Sequence, residues 1–119
     1  MLSPLRITIR DLPASRLLET QIRSHAAKLE TICARLTGCH VTIDSPRSQQ
    51  EQGNHYRVRI DLTVPGSVLV LNREPAQQHG HEDAHAAVYA AFDDAARLLR
   101  EDANRAVRAA HGLRAGGGR

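Results

Sequence analysis

The amino-acid sequence predicts an α+β fold: a two-layer sandwich in which a four-stranded sheet carries two helices on one face. Two long stretches, residues 15–36 and 83–110, repeat their apolar residues at helical spacing. Four shorter stretches have strand character, and they are residues 5–10, 39–44, 55–64 and 67–72. The order is therefore β-α-β-β-β-α. Two helices cover only one face of such a sheet, so the other face must meet water or a partner.

The N-terminal part predicts a strand followed by a helix. Leu5, Ile7 and Ile9 alternate with polar residues, as in a half-buried strand. Ser15 is placed to cap the helix, because its hydroxyl can accept a hydrogen bond from a free amide of the first turn. One apolar stripe then runs along the helix, formed by Leu18, Ile22, Ala26, Leu29, Ile32, Cys33 and Leu36. Gly38 is well placed to end it.

Three further strands follow. The strand at 39–44 leads into a polar segment, residues 45–54, which predicts an exposed loop. The strand at 55–64 has the clearest alternation, and Pro65-Gly66 predicts a tight turn into the strand at 67–72. In that last strand Val and Leu alternate, so the pattern does not show which of them face the core. Strands one and two should be parallel, and strands two to four antiparallel. The face away from the helices would present Arg6, Thr8, Arg10, His40, Thr42, Asp44, Arg57, Arg59, Asp61 and Thr63.

A polar loop, residues 73–82, precedes the second helix, for which Asp83 is the expected N-cap. The helix would bury Val88, Ala91, Phe92, Ala95, Leu98, Leu99, Ala103, Ala106 and Val107. The glycine-rich end, residues 112–119, predicts a disordered tail, which leaves a single domain over residues 1–111. No apolar run is long enough to span a bilayer and the N-terminus lacks a signal-peptide pattern, so we expect a cytoplasmic protein.

Arginine dominates the positive charge. The net charge is +3, and every Lys or Arg except Lys28 is arginine. Arginine suits phosphate, so the balance permits a nucleic-acid partner, although a GC-rich genome also favours arginine. Tyr56, Tyr89 and Phe92 are the only aromatic residues of the Phe, Tyr and Trp types, which disfavours binding by base stacking. Cys33 and Cys39 are expected to be reduced core residues.

The densest polar cluster, residues 79–85, contains three histidines. His81 and His85 would share a helix face and, with His79, could chelate a metal. We favour a loop that leads into a capped helix, and we predict no metal and no cofactor. The sequence has no Gly-rich phosphate loop and no nucleophile elbow. We therefore predict that the protein is not an enzyme.

Several segments, in this order and spacing, resemble the family of ribosome-associated inhibitors and hibernation-promoting factors, once called sigma-54 modulation proteins. The resemblance covers residues 5–108, and its segments are 7–9, 27–30, 35–36, 56–66, 82–88 and 92–93. It implies a four-stranded sheet with two parallel helices on one side. It also implies binding to the small ribosomal subunit and its 16S rRNA in the channel of mRNA and tRNA, which silences translation under stress. The chain would correspond to the short form, without the dimerisation domain of long forms.

The resemblance also implies which residues bind RNA. Lys28, Arg35 and Arg97 match basic positions of the family, and His25 stands where relatives often carry lysine, so it would be only partly charged. The predicted RNA-binding residues are Arg23, His25, Lys28, Arg35, Arg97, Arg100, Arg105 and Arg108. The family's second helix usually ends in a dense lysine run, whereas this one interleaves its arginines with acids, which would weaken binding to rRNA.

One alternative function stays open at this point. The uncovered sheet face, or a strand edge, could bind another protein or a second copy of the chain without any contact to the ribosome. Cations concentrated on the helices would favour the RNA partner, whereas cations dispersed among acids would favour the protein partner.

Overall fold

Four strands and two helices form the predicted β-α-β-β-β-α order, which is confirmed. The computed structural model describes residues 4–13, 15–45, 56–74 and 83–117. The elements are β1 (Leu5–Arg10), α1 (Arg16–Ile32), β2 (Gly38–Asp44), β3 (Arg57–Val64), β4 (Ser67–Arg73) and α2 (Ala84–Gly117). Residues 46–55 and 75–82, where the sequence predicts loops, lie outside the described residues.

The strands form one mixed sheet in the order β1-β2-β3-β4. β1 and β2 are parallel, with Ile7 opposite Val41. β2 and β3 are antiparallel, and so are β3 and β4, where Leu62 lies opposite Leu69. The predicted parallel crossover and antiparallel meander are therefore both confirmed.

Both helices pack on the same face of the sheet. One buried cluster joins α1 and α2 to the inward residues of β2 and β3; its largest fully buried side chains are Leu18, Ile22, Leu29, Val41, Ile43, Val58, Ile60, Leu62, Val88 and Leu99. The strand alternation explains this, because every second side chain points to the helices. In β4, Leu69 packs against the core, whereas Val68 and Val70 are exposed. The structure thus settles the face that the sequence left open.

Side-chain caps begin both helices, as predicted. The Leu18 N–H donates to Ser15 Oγ at 3.2 Å. The Ala86 N–H donates to Asp83 Oδ1 at 2.7 Å. Each bond satisfies an amide that the helix itself leaves without a partner.

The predicted end of α1 is wrong by one turn. The helix ends at Ile32, and Cys33 has extended backbone angles. Leu36 is buried outside the helix, where its N–H donates to the Cys33 carbonyl at 3.2 Å. The apolar stripe continued past the helix because this turn also packs against the core, so periodicity alone overestimated the length. As a result Arg35 lies in the turn, and Gly38 is the first residue of β2.

The contacts between α1 and α2 follow the same order along the two helices. Gln21 contacts His85 near the start of each helix, and His25 contacts Tyr89 one turn further along both helices. Beyond the end of α1, Arg35 pairs with Asp102. α1 and α2 are therefore parallel.

The predicted end of α2, near residue 110, is also wrong, because the helix extends to Gly117. Glycine is tolerated in a helix at a cost of about 1 kcal/mol relative to alanine. Every residue from 104 to 109 is exposed, so this part of α2 projects beyond the core. Residues 112–117, which the sequence predicts to be part of a disordered tail, belong to this helix, and residues 118–119 lie outside the described part. The division into a domain over residues 1–111 and a tail stays a prediction.

The turn between β3 and β4 depends on glycine. Gly66 has φ +79°, a conformation that residues with a Cβ rarely adopt. Pro65 before it pre-sets the first corner of the turn. β3 begins at Arg57, two residues later than predicted, and β4 extends to Arg73.

Candidate RNA-binding surface

The predicted RNA-binding cations lie on the exterior of the helical layer, opposite the uncovered face of the sheet. Arg23 and Lys28 are on α1, Arg35 is in the turn after it, and the others are on α2, at Arg97, Arg100, Arg105 and Arg108. All of these are exposed, and only His25 is half-buried. The helices place them there because their apolar stripes face the sheet and leave charged residues outside.

A groove between the two helices brings part of this set together. It has a volume of about 200 Å³ and is lined by His25, Lys28, Leu29, Ile32, Tyr89, Phe92, Asp93, Ala96 and Arg100. Lys28 comes from α1 and Arg100 from α2, so cations stand on both helices of the groove. Neither of them forms an ion pair within the described part of the chain.

His25 contributes an aromatic ring rather than a charge. Its ring stacks on Phe92, with centroids 5.3 Å apart and an interplanar angle of 17°. Burial lowers the pKa of His25 below its ordinary value, and the nearby Lys28 charge lowers it further. The neutral form of the side chain therefore predominates at neutral pH, and the part that His25 plays in RNA binding stays a prediction.

Two other predicted cations are held by acids. Arg97 lies 3.6 Å from both Asp93 and Asp94, one turn before it on the same helix. Arg35 lies 3.9 Å from Asp102. These exposed pairs contribute little to stability, but they reduce the net charge that a phosphate would meet.

The remaining predicted cations stand apart from the groove. Arg105 and Arg108 line a shallow depression on the projecting part of α2, together with Glu101 and Asn104. Arg23 is exposed on α1 and is not among the residues of the groove. The structure therefore gathers Lys28 and Arg100 with His25, and spreads the other cations along the helices.

The outer face of the sheet neutralises much of its own charge. Arg57 donates two hydrogen bonds to the Asp44 carboxylate, at 3.1 and 3.2 Å, and this raises the pKa of the guanidinium. Arg59 donates to Asp61 at 3.0 Å. The register of β2 and β3 places Asp44 directly opposite Arg57, which explains their pairing. Arg59 and Asp61 are two residues apart on β3, so their side chains lie on the same face of the sheet.

A threonine, a histidine and an aspartate also meet on this face, and no motif in the sequence singles out these three residues. Thr8 Oγ1 lies 2.8 Å from His40 Nε2, and His40 Nδ1 lies 4.0 Å from Asp61 Oδ2. A catalytic triad needs a hydrogen bond from the acid to orient the histidine. The 4.0 Å separation is too long for that bond, and the other Asp61 oxygen accepts from Arg59.

In the histidine cluster, the described residue His85 contacts α1. His85 Nδ1 forms a hydrogen bond with Gln21 Oε1, while Gln21 Nε2 donates to the His85 carbonyl at 2.9 Å. His79 and His81 lie outside the described residues. Within the described ranges, no three His, Cys, Asp or Glu residues are grouped to hold a metal ion.

The two cysteines are buried free thiols. The pKa of Cys39 is raised to about 12, mainly by burial and further by the nearby charges of Asp61 and Glu30. The thiol is therefore protonated at physiological pH and is a poor nucleophile. In the part of the chain that is described, neither helix combines the length and apolar character that crossing a membrane requires.

Comparison with known proteins identifies similar structures and a matching family. The structure is similar to the N-terminal domain of Protein Y from Thermus thermophilus, at 19% identity and a TM-score of 0.60, covering 82% of this chain and 93% of that one. It is also similar to a ribosomal subunit interface protein from Coxiella burnetii, at 12% identity and a TM-score of 0.68, covering 85% and 98%. These identities support a common fold only.

A comparison with curated proteins gave no match. A family model does match, over residues 5–106, and its description is sigma 54 modulation protein / S30EA ribosomal protein. The match spans β1 through most of α2, and so includes the whole sheet and both walls of the groove. The chain belongs to the sigma 54 modulation protein / S30EA ribosomal protein family.

Proposed function

We propose that this protein is a ribosome-associated modulation factor that binds the small ribosomal subunit through phosphate groups of 16S rRNA. The proposal starts from the family match over residues 5–106 and from the subunit interface named for the similar Coxiella burnetii protein. Binding in the channel of mRNA and tRNA would block translation by occupancy, in the cytoplasm and without a catalytic step or a cofactor.

The observation that carries the phosphate contact is the placement of Lys28 and Arg100. They stand on neighbouring helices, line one groove and make no ion pair among the described residues. A cation that is already paired must give up its acid before it can serve a phosphate, whereas these two are available. Arg105 and Arg108 extend the same charge along α2.

Co-sedimentation with purified 30S and 70S particles tests the proposal. We expect the protein to sediment with 30S particles at low salt and to be released as salt increases, because each phosphate contact releases counterions. Absence of the protein from the 30S fraction even at low salt would contradict the proposal.

A protein partner is the second candidate, and β4 favours it. β4 is an edge strand, and on its outer face Val68 is 57% and Val70 47% exposed. Apolar residues on an unpaired edge favour pairing with another chain or a second copy. Light scattering coupled to size exclusion tests this candidate: a dimer that Val70→Lys converts to a monomer would support it, and a native monomer would contradict self-association.

A further inference from the structure

The few aromatic residues of the chain are concentrated in the groove between the helices. Tyr89 and Phe92, two of the three Phe and Tyr residues, line it together with the His25 ring. His25 stacks on Phe92 and meets Tyr89 edge to face, with centroids 5.5 Å apart and an interplanar angle of 82°. A low aromatic count had disfavoured base stacking, but the count carries no information on where the rings lie.

Tyr89 is the ring that remains accessible. It is 63% exposed although it belongs to a helix whose neighbouring residues Val88 and Phe92 are buried. Its contact with His25 favours one orientation of the ring, because edge-to-face packing is a preferred geometry for aromatic pairs. An accessible ring held on a rigid helix is what a stacking platform requires.

The charges around Tyr89 complement a nucleotide. Lys28 and Arg100 line the same groove and are exposed without ion pairs in the described part of the chain. Asp93 is the one acid among the described residues that line the groove, and Arg97 lies 3.6 Å from its carboxylate, which offsets its repulsion of phosphate. His25 is neutral at physiological pH, so it supports the rings and adds no charge.

We propose that Tyr89 stacks on one unpaired RNA base, while Lys28 and Arg100 hold the phosphates that flank it. This inference rests on the proposed function, because it names the RNA feature that the groove would bind: an unstacked nucleotide rather than a duplex. Bases splayed out of single-stranded RNA are the usual targets of aromatic side chains. Every base has a π-face, so the contact would show little base preference.

Tyrosine fluorescence provides a direct test, since the chain has two tyrosines and no tryptophan. In the variant Tyr56→Phe, Tyr89 is the only fluorescent residue of its kind; Tyr56 packs against the core, and phenylalanine keeps that packing. The probes are a uridylate dodecamer and an abasic ribose-phosphate dodecamer of the same charge. We expect only the uridylate RNA to quench the fluorescence. Equal signals from the two probes would overturn the inference.

Substitution of the ring separates stacking from charge. Tyr89→Ala and Tyr89→Leu should each weaken binding of the uridylate dodecamer about 5- to 150-fold, since stacking contributes roughly 1–3 kcal/mol per base. Tyr89→Phe should restore most of the loss, because the ring and not the hydroxyl is used. Leu17→Ala, an exposed change on α1, is the matched control and should leave affinity unchanged. Unaltered affinity in Tyr89→Ala would overturn the inference.

The same variants on 30S particles distinguish the two proposals. If native protein and Tyr89→Ala sediment with 30S equally, the base contact is wrong and ribosome binding stands. If native protein does not sediment with 30S, but uridylate RNA still quenches Tyr89, the platform is supported and the ribosomal proposal fails.

Discussion

The guanidinium of Arg35 lies 3.9 Å from the carboxylate of Asp102 and joins the turn after α1 to α2. The two side chains are 45% and 21% exposed, so the pair is worth about 0–1 kcal/mol of stability. Its larger effect is on charge, because Asp102 pairs with a cation that the sequence predicts to bind RNA. If the helical arginines bind phosphate as proposed, the acids of α2 compete with phosphate for them.

Asp102→Asn should strengthen binding to 30S particles, because it frees Arg35 and removes a negative charge from the helical surface. The plot of log affinity against log salt should steepen by about one unit, measured by co-sedimentation over a salt series. Glu74→Gln is the matched control, since Glu74 lies 3.9 Å from Arg57 on the opposite face of the molecule. An equal gain in both variants would contradict a specific role for the helices.

Ile60→Ala should destabilise the protein by about 2–5 kcal/mol, because Ile60 is fully buried at the centre of the sheet and its loss leaves a cavity. Chemical denaturation followed by circular dichroism measures the change. Val70→Ala, on the outer face of β4, should alter the free energy of unfolding by no more than about 0.5 kcal/mol. A large effect of Val70→Ala would mean that the outer face is covered by another chain.

The stability of the protein should decrease on acidification in a way that depends on His25. Its pKa in the folded protein lies below the ordinary 6.5, so the unfolded chain binds a proton more readily. The contribution is complete above about pH 6.5 and is lost as pH falls toward the lowered pKa. His25→Phe keeps a ring on Phe92 and removes the proton site. The free energy of unfolding should therefore depend less on pH in this variant, and an identical pH dependence would contradict the assignment.

Cys39 should resist alkylation in the native protein. Its pKa of about 12 leaves almost no thiolate at pH 8, and burial limits access of the reagent. Iodoacetamide labelling followed by peptide mass spectrometry should show modification of Cys39 only after denaturation. Rapid labelling of native Cys39 would indicate that the β2 end of the core opens readily.

Local sequence patterns were sufficient for most of the fold. Alternation located β1 to β3 within two residues, and Ser15 and Asp83 identified both helix starts. β4 was ambiguous because Val and Leu are equally apolar, and only its register with β3 decides that Leu69 faces the core. The end of α1 was misjudged because Leu36 is buried by the turn rather than by the helix.

The candidate site could not be predicted from local sequence patterns, because it is formed by contacts between residues that are far apart in the sequence. Lys28 and Arg100 could be chosen as cations, but their common groove follows from the parallel packing of the helices. The same packing stacks His25 on Phe92, and burial lowers the pKa of His25. Arg35 and Asp102 are far apart in sequence, so their pairing could not be read from charge spacing along one helix.

The central claim is that the helical surface, and not the sheet, binds the ribosome. Co-sedimentation of matched double variants with 30S particles tests it most directly, since each variant removes two positive charges. We predict that Lys28→Ala with Arg100→Ala releases the protein and flattens its salt dependence by about two units of slope, while Arg57→Ala with Arg59→Ala remains bound. Loss of binding in the sheet variant together with retention in the helical variant would contradict the account.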